Sequence, residues 1–141
     1  MTNQINKIIG LDVGDKRIGV ATASLIARLP QPHSVINRSD QTINDINELA
    51  IKLQATAIVI GLPRGLDGQD TDQTSRVRNF TRQLSKACNL PIHFQDEALT
   101  SKKAEQELNH RKVSYNKDAV DALAATYILS DFLEEHTEFK E

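Results

Sequence analysis

The chain has 141 residues, 39% of them hydrophobic, and a formal net charge of −2. This length predicts one globular domain, residues 1–141, with enough apolar residues for a core. A membrane partner is not expected, because no apolar run approaches the roughly 20 residues that cross a bilayer. The first residues lack the apolar stretch of a signal peptide, and Cys88 is the only cysteine. We therefore expect a cytoplasmic protein without disulfides or a cysteine metal site.

The charge is distributed unevenly along the chain. The acidic tail, residues 134–141, carries a net charge of −3, which leaves +1 for the rest of the total of −2. The small net charge argues against a non-specific nucleic-acid binder. Because many of the basic residues fall in the second half of the chain, a local basic face is nevertheless expected.

Two strand-like runs open the chain, at residues 7–13 and 17–23. Only three residues separate them, which predicts an antiparallel hairpin. A third strand is expected near 33–37. Ser39 or Asp40 is expected to cap the first helix, whose apolar residues recur at helical spacing, namely Ile43, Ile46, Leu49, Ala50 and Leu53.

The middle of the chain alternates between strands and helices. Residues 57–60 form a continuous aliphatic run, as in a buried parallel strand. The glycine-rich segment 61–68 is expected to be a loop that exposes backbone amides. A second helix follows, and its predicted packed side consists of Val77, Phe80, Leu84 and Ala87.

The last third predicts a fifth strand at 91–95, a short helix near 101–109, a polar loop at 110–116 and a final helix from about 117 to 134. Three consecutive strands followed by strand–helix alternation predict an α/β domain, in which helices cover both faces of a mixed sheet.

Asp12 lies in the middle of the aliphatic run Lys7–Gly14, which has the pattern of a buried strand. Burying a carboxylate there costs on the order of several kcal/mol unless a partner compensates it. An acid at the end of a strand can simply accept hydrogen bonds from amides of the next turn. The functional alternative, which we adopt as a hypothesis, is a metal or phosphate site at the carboxyl end of a central strand.

Two acids lie near the start of the last predicted helix. Asp121 shares a helical line with Ala125, Ile128 and Phe132, so it borders the core. Asp118 falls in the first turn, where the helix dipole favours an acid. Asp121 lies one turn deeper, where the dipole explains it poorly, and is the better functional candidate.

Asp96 and Glu97 follow the fifth predicted strand, and ligands of α/β sheets gather beyond the carboxyl ends of strands. Strand alternation sends the two side chains to opposite faces of the sheet. This pattern does not choose between them, and either acid can be a solvated residue before a helix.

Acids from a central strand, a strand end and a late helix converge only through the fold. Their oxygens suit the hard cations Mg²⁺ and Mn²⁺. Two such ions about 3.5–4 Å apart hold the attacking and leaving oxygens of a phosphoryl displacement. Spacing this irregular is a weak signal without a recognised framework.

Five motifs supply that framework, in order between about residues 7 and 133. They are Asp12-Val-Gly-Asp-Lys-Arg-Ile-Gly-Val-Ala21, Gly61-Leu-Pro with Asp67-Gly68, Arg76-Val-Arg78-Asn-Phe80, Asp96-Glu97 with Thr100-Ser101, and Val120-Asp121-Ala with Ile128-Leu129. In this combination the chain resembles the YqgF (RuvX) family. That resemblance implies a ribonuclease H-like fold, related to the RuvC Holliday-junction resolvases. The implied sheet has five strands in the order 3-2-1-4-5, with strand 2 antiparallel.

The resemblance also assigns the acids. It implies that Asp12, Glu97 (rather than Asp96) and Asp121 (rather than Asp118) are catalytic and bind Mg²⁺ or Mn²⁺ at a two-ion site. The implied activity is metal-dependent phosphodiester hydrolysis, either at the 5′ end of pre-16S ribosomal RNA or in Holliday-junction DNA.

This chain departs from the family pattern at two places. Ala98 stands where an arginine commonly follows the glutamate, and Ala23-Ser24-Leu25 stands where an aspartate is common. Both departures touch the neighbourhood of the implied site, so they bear on rate and substrate contacts more than on the metal ligands.

Basic side chains near the predicted site are candidates for phosphate contacts. Lys16 and Arg17 lie in the hairpin after Asp12, Arg64 lies in the glycine-rich segment, and the second helix carries a stripe with Arg78 and Arg82. Solvated surface charge is the competing interpretation. Backbone contacts give affinity without sequence readout. The expected partners are therefore structured RNA such as pre-rRNA, or branched DNA, with ribosome association, and the protein is expected to be a monomer or homodimer.

Two other functions compete with this hypothesis. The hairpin after Asp12 also resembles the phosphate-binding hairpin of actin-like ATPases and sugar kinases, but those proteins clasp ATP between two such domains. A non-catalytic nucleic-acid-binding module is the second alternative, with Ala98 as a sign of lost activity. ATP titration discriminates the first alternative, and metal-dependent cleavage discriminates the second.

Overall fold

The computed structural model describes residues 6–97 and 117–137. Its strands are β1 (Lys7–Val13), β2 (Arg17–Ser24), β3 (Gln31–Asn37), β4 (Ala55–Pro63) and β5 (Ile92–Glu97). Its helices are α1 (Thr42–Lys52), α2 (Asp72–Ala87) and α3 (Lys117–Glu135). The predicted helix near 101–109 and the loop 110–116 lie outside the described residues.

The five strands form one mixed sheet in the order β3-β2-β1-β4-β5. Strand β2 is antiparallel to both of its neighbours, β1 and β3, whereas β1, β4 and β5 are parallel to one another. This topology confirms the predicted α/β class, the ribonuclease H-like strand order and the antiparallel second strand. It also makes β1 the central strand, so Asp12 sits near the middle of the sheet.

Helices cover both faces of the sheet, as predicted. One face, which we call the α1–α2 face, packs Ile9 and Leu11 of β1 against the first two helices. The other, the α3 face, packs Ile8 of β1 against Ile128 and Leu129 of α3. Because successive residues of a strand alternate between faces, Asp12 lies on the α3 face.

Glycines on the α3 face let the last helix come unusually close to the sheet. A Cβ atom on Gly19 of β2 would overlap the backbone carbonyl of Asp121, and one on Gly61 of β4 would overlap the side chain of Ile128. No side chain larger than hydrogen fits at Gly19 without moving the helix. This close approach places the start of α3 against β2.

Three local predictions are wrong. Residues 61–63 are not loop but the last part of β4, because their apolar side chains continue the buried sheet. Neither Ser39 nor Asp40 caps α1, since the residue before its first turn is Gln41, which makes no side-chain cap hydrogen bond. Ala87 is exposed at the end of α2 rather than packed.

Most backbone amides of residues 64–68 donate to groups of the same protein, which corrects another prediction. The amide of Arg64 donates to the Glu97 carbonyl at 3.2 Å, and the amide of Gly65 donates to the Gln69 carbonyl at 2.8 Å. The amide of Gly68 likewise donates to the Gly65 carbonyl at 2.9 Å. Internal hydrogen bonds thus satisfy donors that a phosphate-binding loop would need.

No helix within the described ranges is long and apolar enough to span a membrane.

Candidate active site

Asp12 is the penultimate residue of β1 and lies half-buried on the α3 face. Its register partner across the hairpin is Gly19 of β2. The turn that follows is tight, because the amide of Gly14 donates to the Arg17 carbonyl at 2.9 Å. The Asp12 side chain therefore projects at the carboxyl edge of the sheet, beside the glycine that receives α3.

Asp121 reaches the same place from the helix. Its backbone carbonyl lies against Gly19, the residue directly opposite Asp12 in the β1–β2 ladder. The helical line predicted from the sequence is confirmed, because Ala125, Ile128 and Phe132 are all buried against the sheet. The side chain of Asp118 lies outside the residues whose side chains are described.

Glu97 and Asp96 are the last two residues of β5, and they face opposite ways. His93 and Gln95 contact α3, His93 through the Phe132 ring at 5.5 Å and Gln95 through the Glu135 carboxylate. By alternation, Glu97 shares their α3 face. Its Oε1 atom is buried from solvent. Asp96 points to the α1–α2 face, where it is 66% exposed and accepts a hydrogen bond from Arg64 at 3.3 Å.

The backbone thus brings Asp12, Glu97 and Asp121 to one face at one edge of the sheet. The register places Asp12 level with Gly61 of β4, whereas Glu97 pairs with Pro63, which lies two residues further along β4. Because β4 lies between β1 and β5, the two residues are separated by two strand spacings across the sheet and two residue rises along it. This gives about 12 Å between the Cα atoms of Asp12 and Glu97. As the side chains stand, no three His, Cys, Asp or Glu residues of the described ranges are close enough together to hold a metal ion.

Arg17 engages one of the three acids directly. Its Nε atom donates to Asp121 Oδ2 at 2.6 Å, and the two side chains are only 28% and 19% exposed. Arg17 was predicted to contact a substrate phosphate, whereas here its guanidinium pairs with a candidate metal ligand. A cation that takes Asp121 as a ligand must therefore compete with this ion pair.

A cavity of about 330 Å³ opens beside that ion pair. The hairpin turn and the helix line it together, through Gly14, Asp15, Lys16, Arg17 and Asp121. Lys16 is exposed at its rim. The cavity gives a polar ligand access to Asp121 and to two basic side chains at once.

Two of the other predicted phosphate-binding side chains, those of Arg64 and Arg78, are held in a separate ion-pair network. Arg64 bonds the carboxylates of Asp70 and Asp96, and Arg78 lies 3.7 Å from Asp70. Arg82 is exposed and donates to the side chain of Asn79 at 3.3 Å. Arg64 therefore braces the ends of β4 and β5.

Two further residues, Arg38 and Gly19, border the site without a sequence pattern that marks them as functional. Arg38 follows β3, and its Nη1 atom donates to the Gly14 carbonyl at 3.0 Å. No local pattern reveals this contact, because it joins residues 24 positions apart. Gly19 belongs to the first family motif, and its position opposite Asp12 in the predicted hairpin is the signal that could have marked it.

Comparisons with known proteins agree with this fold. Residues 6–135 match the sequence model of a family described as "RuvX: Holliday junction resolvase". A protein of Crocosphaera subtropica named "Putative pre-16S rRNA nuclease" is 40% identical over 131 residues, 90% of this chain and 92% of its own length. A protein of Orientia tsutsugamushi with the same name is 39% identical over 130 residues, 90% of this chain and 83% of its own length.

Solved structures show the same architecture at low sequence identity. Thermus thermophilus RuvC, in complex with a Holliday junction substrate, superposes with a TM-score of 0.54 at 14% identity, over 92% of this chain and 95% of that one. The fowlpox virus Holliday junction resolvase gives 0.55 at 11% identity, over 92% and 99%. These likenesses concern the fold. The family match over residues 6–135 and the sequence relatives establish that this chain, with its ribonuclease H-like fold, belongs to the RuvX family.

Proposed function

We propose that this chain is a divalent-metal-dependent nuclease that hydrolyses phosphodiester bonds in structured nucleic acid, with Asp12, Glu97 and Asp121 as its metal-binding catalytic acids. The proposed substrate is the 5′ end of precursor 16S ribosomal RNA, processed in the cytoplasm in association with ribosome assembly. Family membership supports the reaction class. The names of the sequence relatives support the RNA substrate.

One observation carries the proposal. Asp121 is brought over Gly19, which lies directly opposite Asp12, and Glu97 emerges on the same face at the same edge. A hard divalent cation prefers such carboxylate oxygens. Asp96 faces the other way and is braced by Arg64, which supports the choice of Glu97.

The three carboxylates suit divalent cations, because their oxygens are the ligands that hard cations prefer and the backbone places all three on one face of the sheet. The pairing of Asp121 with Arg17 means that the side chains must rearrange before they share an ion. When bound, the ions would supply an activated water and neutralise charge on the leaving oxygen.

Side chains of this protein would place the central acid and hold the substrate phosphate. Asp12 is the central acid, because β1 is the middle strand of the sheet, with Glu97 on β5 to one side and Asp121 on α3, packed over β2, to the other. Arg17, once released from Asp121, and Lys16 at the rim of the cavity would hold a substrate phosphate. The cavity beside Asp121 gives that phosphate its access.

The test is cleavage of a precursor ribosomal RNA fragment with Mn²⁺ or Mg²⁺ by two neighbouring variants. Glu97→Gln is expected to lower the rate at least a hundredfold, because it removes a proposed metal ligand. The matched Asp96→Asn variant removes a negative charge from the opposite face but keeps a side-chain oxygen that can accept from Arg64, so it is expected to cut at near the unaltered rate. Asp12→Asn is expected to abolish cleavage while the fold and nucleic-acid binding persist. Equal cutting by both neighbours, or full activity of Asp12→Asn, would remove these acids from the mechanism.

Holliday-junction cleavage is the second candidate, because the family description names it. A four-way DNA junction assayed beside the RNA discriminates the two. Resolution of a junction needs paired cuts, so this candidate also predicts a dimer under the assay conditions, whereas cleavage at one RNA end needs only a monomer. Sedimentation of the active species with each substrate provides that second measurement.

A further inference from the structure

A second polar groove lies on the other side of the hairpin turn from the Asp121 cavity. It measures about 220 Å³ and is lined by Asp15, Arg38, Arg76, Asn79, Phe80 and Gln83. Asp15 lines both cavities, so only the turn of residues 14–16 separates them. The groove therefore begins at the edge of the proposed active site and leads away from it along α2.

The two arginines of this groove are oriented by the protein before any ligand arrives. The Arg38 guanidinium stacks over the buried Phe80 ring, 5.0 Å from its centroid, and also donates to the Gly14 carbonyl. Arg76 Nε donates to Asp15 Oδ1 at 3.1 Å, yet its side chain is 55% exposed. Each guanidinium has five N–H donors and uses only some of them in these contacts, so donors remain for a phosphate.

Helix geometry distinguishes this groove from the stripe predicted on α2. At about 100° per residue, Arg76, Asn79 and Gln83 fall within about 60° of one another around the helix, whereas Arg78 lies at least about 100° from each of them. Arg82 lies between the two sides and donates to Asn79. The Arg78 side faces β5, as its guanidinium lies 5.9 Å from the Phe94 ring centroid. The Arg76 side instead faces the hairpin that carries Asp12.

We infer that the Arg38–Arg76 groove binds the sugar-phosphate backbone of the nucleic-acid strand as it leaves the active site. This inference rests on the proposed nuclease function and adds the path of the substrate. The two cavities together present four basic side chains, Lys16, Arg17, Arg38 and Arg76, against two carboxylates, those of Asp15 and Asp121. Asn79 and Gln83 add neutral donors that suit phosphate and ribose oxygens. Such contacts give affinity and register without reading base sequence.

The test measures the salt dependence of binding without added metal, so that binding is separated from cleavage. The probes are a four-way DNA junction and a precursor ribosomal RNA stem-loop, each titrated over a range of KCl concentrations. The double variant Arg38→Gln/Arg76→Gln is expected to bind more weakly. The magnitude of its slope of log K against log[salt] is expected to decrease by about 1 to 2, the contribution of one or two phosphate contacts. The control is Lys52→Gln, which removes an exposed charge at the end of α1, three residues before β4 begins at the amino end of the parallel strands, and is expected to leave the slope unchanged.

Arg38 also contacts Phe80 and Gly14, so its loss can affect folding. Two milder variants keep the inference falsifiable: Arg76→Gln alone, and Gln83→Glu, which adds a negative charge to the groove. Both residues are exposed, and both variants are expected to weaken binding with unchanged thermal unfolding. If the folded variants bind both probes with the unaltered slope, the groove is not part of the nucleic-acid path.

Cleavage by the unaltered protein is measured in parallel with Mn²⁺, which separates the two proposals. Cleavage together with an unchanged slope in the variants overturns the groove and leaves the nuclease intact. A reduced slope without any cleavage supports the groove as a nucleic-acid site and overturns the nuclease. A reduced slope for only one probe identifies whether RNA or DNA follows this path.

Discussion

Replacing Arg17 with glutamine tests how the ion pair with Asp121 controls metal binding. The pair is short and partly shielded, with an N–O distance of 2.6 Å and exposures of 28% and 19%. Two unit charges at about 4 Å attract by about 4 kcal/mol at an effective dielectric constant of 20, before desolvation is subtracted. Measured exposed pairs contribute about 0–1 kcal/mol. We therefore expect a net 1–2 kcal/mol for this partly buried pair, within these bounds.

A cation that binds Asp121 has to overcome that interaction, so Arg17→Gln is expected to tighten Mn²⁺ binding. The expected gain is about 5- to 30-fold, since about 1.4 kcal/mol corresponds to a factor of ten. Free Mn²⁺ is measured by electron paramagnetic resonance during titration of the protein without nucleic acid. The Lys52→Gln variant removes the same charge from a distant surface and is the matched control.

The same variant is expected to lose phosphate contacts, so cleavage at saturating Mn²⁺ should show a raised KM for the nucleic acid. Opposite changes in metal affinity and substrate affinity are the signature of an arginine that serves both partners. Mn²⁺ affinity that is unchanged or weaker in Arg17→Gln would refute the reasoning, because Arg17 would then support the metal site instead of competing with it.

Four further predictions concern how the fold supports the site. Gly19→Ala forces α3 away from β2 and is expected to cost about 1–3 kcal/mol in urea unfolding, with a loss of activity. Gly68→Ala meets no atoms but has φ of +80°, so it should cost about 1 kcal/mol without affecting metal affinity. Arg64→Gln removes the ion pairs that link the end of β4 to Asp70 and to Asp96 of β5, and is expected to slow cleavage and weaken Mn²⁺ binding. Unchanged values would show that these ion pairs do not support the site. Arg28→Met removes hydrogen bonds to two carbonyls at the end of α3, which is expected to lower the free energy of unfolding by about 1–2 kcal/mol, and full stability would contradict that anchoring.

The sheet was predictable because its strands are short aliphatic runs with clear turn signals. Strand order followed from the meander and the later alternation, aided by the family resemblance. The end of β4 was misjudged because glycine and proline at positions 61 and 63 signal a turn locally. In the fold, Gly61 is instead the space that Ile128 of α3 requires.

Local sequence predicts only part of how the candidate acids are oriented on the sheet. Alternation places Asp96 and Glu97 on opposite sides of β5, but choosing between them requires knowing which face α3 covers. That information lies in the contacts of His93 and Gln95 with a helix some 40 residues later. Sequence periodicity alone does not carry it.

Ion pairs were the least predictable feature of the site. Arg17 and Asp121 are 104 residues apart, and Arg64 and Asp96 are 32 apart. A basic residue near a predicted site can contact substrate or neutralise an acid of the same protein, and only the fold decides. Regular spacing predicted the stripe of Arg78 and Arg82, yet the side of α2 that adjoins the proposed active site is the one that carries Arg76 and Gln83.

Anomalous diffraction from crystals grown with Mn²⁺ would test most directly whether the three acids share divalent ions. The account predicts manganese peaks between the carboxylates of Asp12, Glu97 and Asp121, with Arg17 displaced from Asp121. Crystals that hold Mn²⁺ elsewhere, with Arg17 still bound to Asp121 and no peak among the three acids, would contradict it.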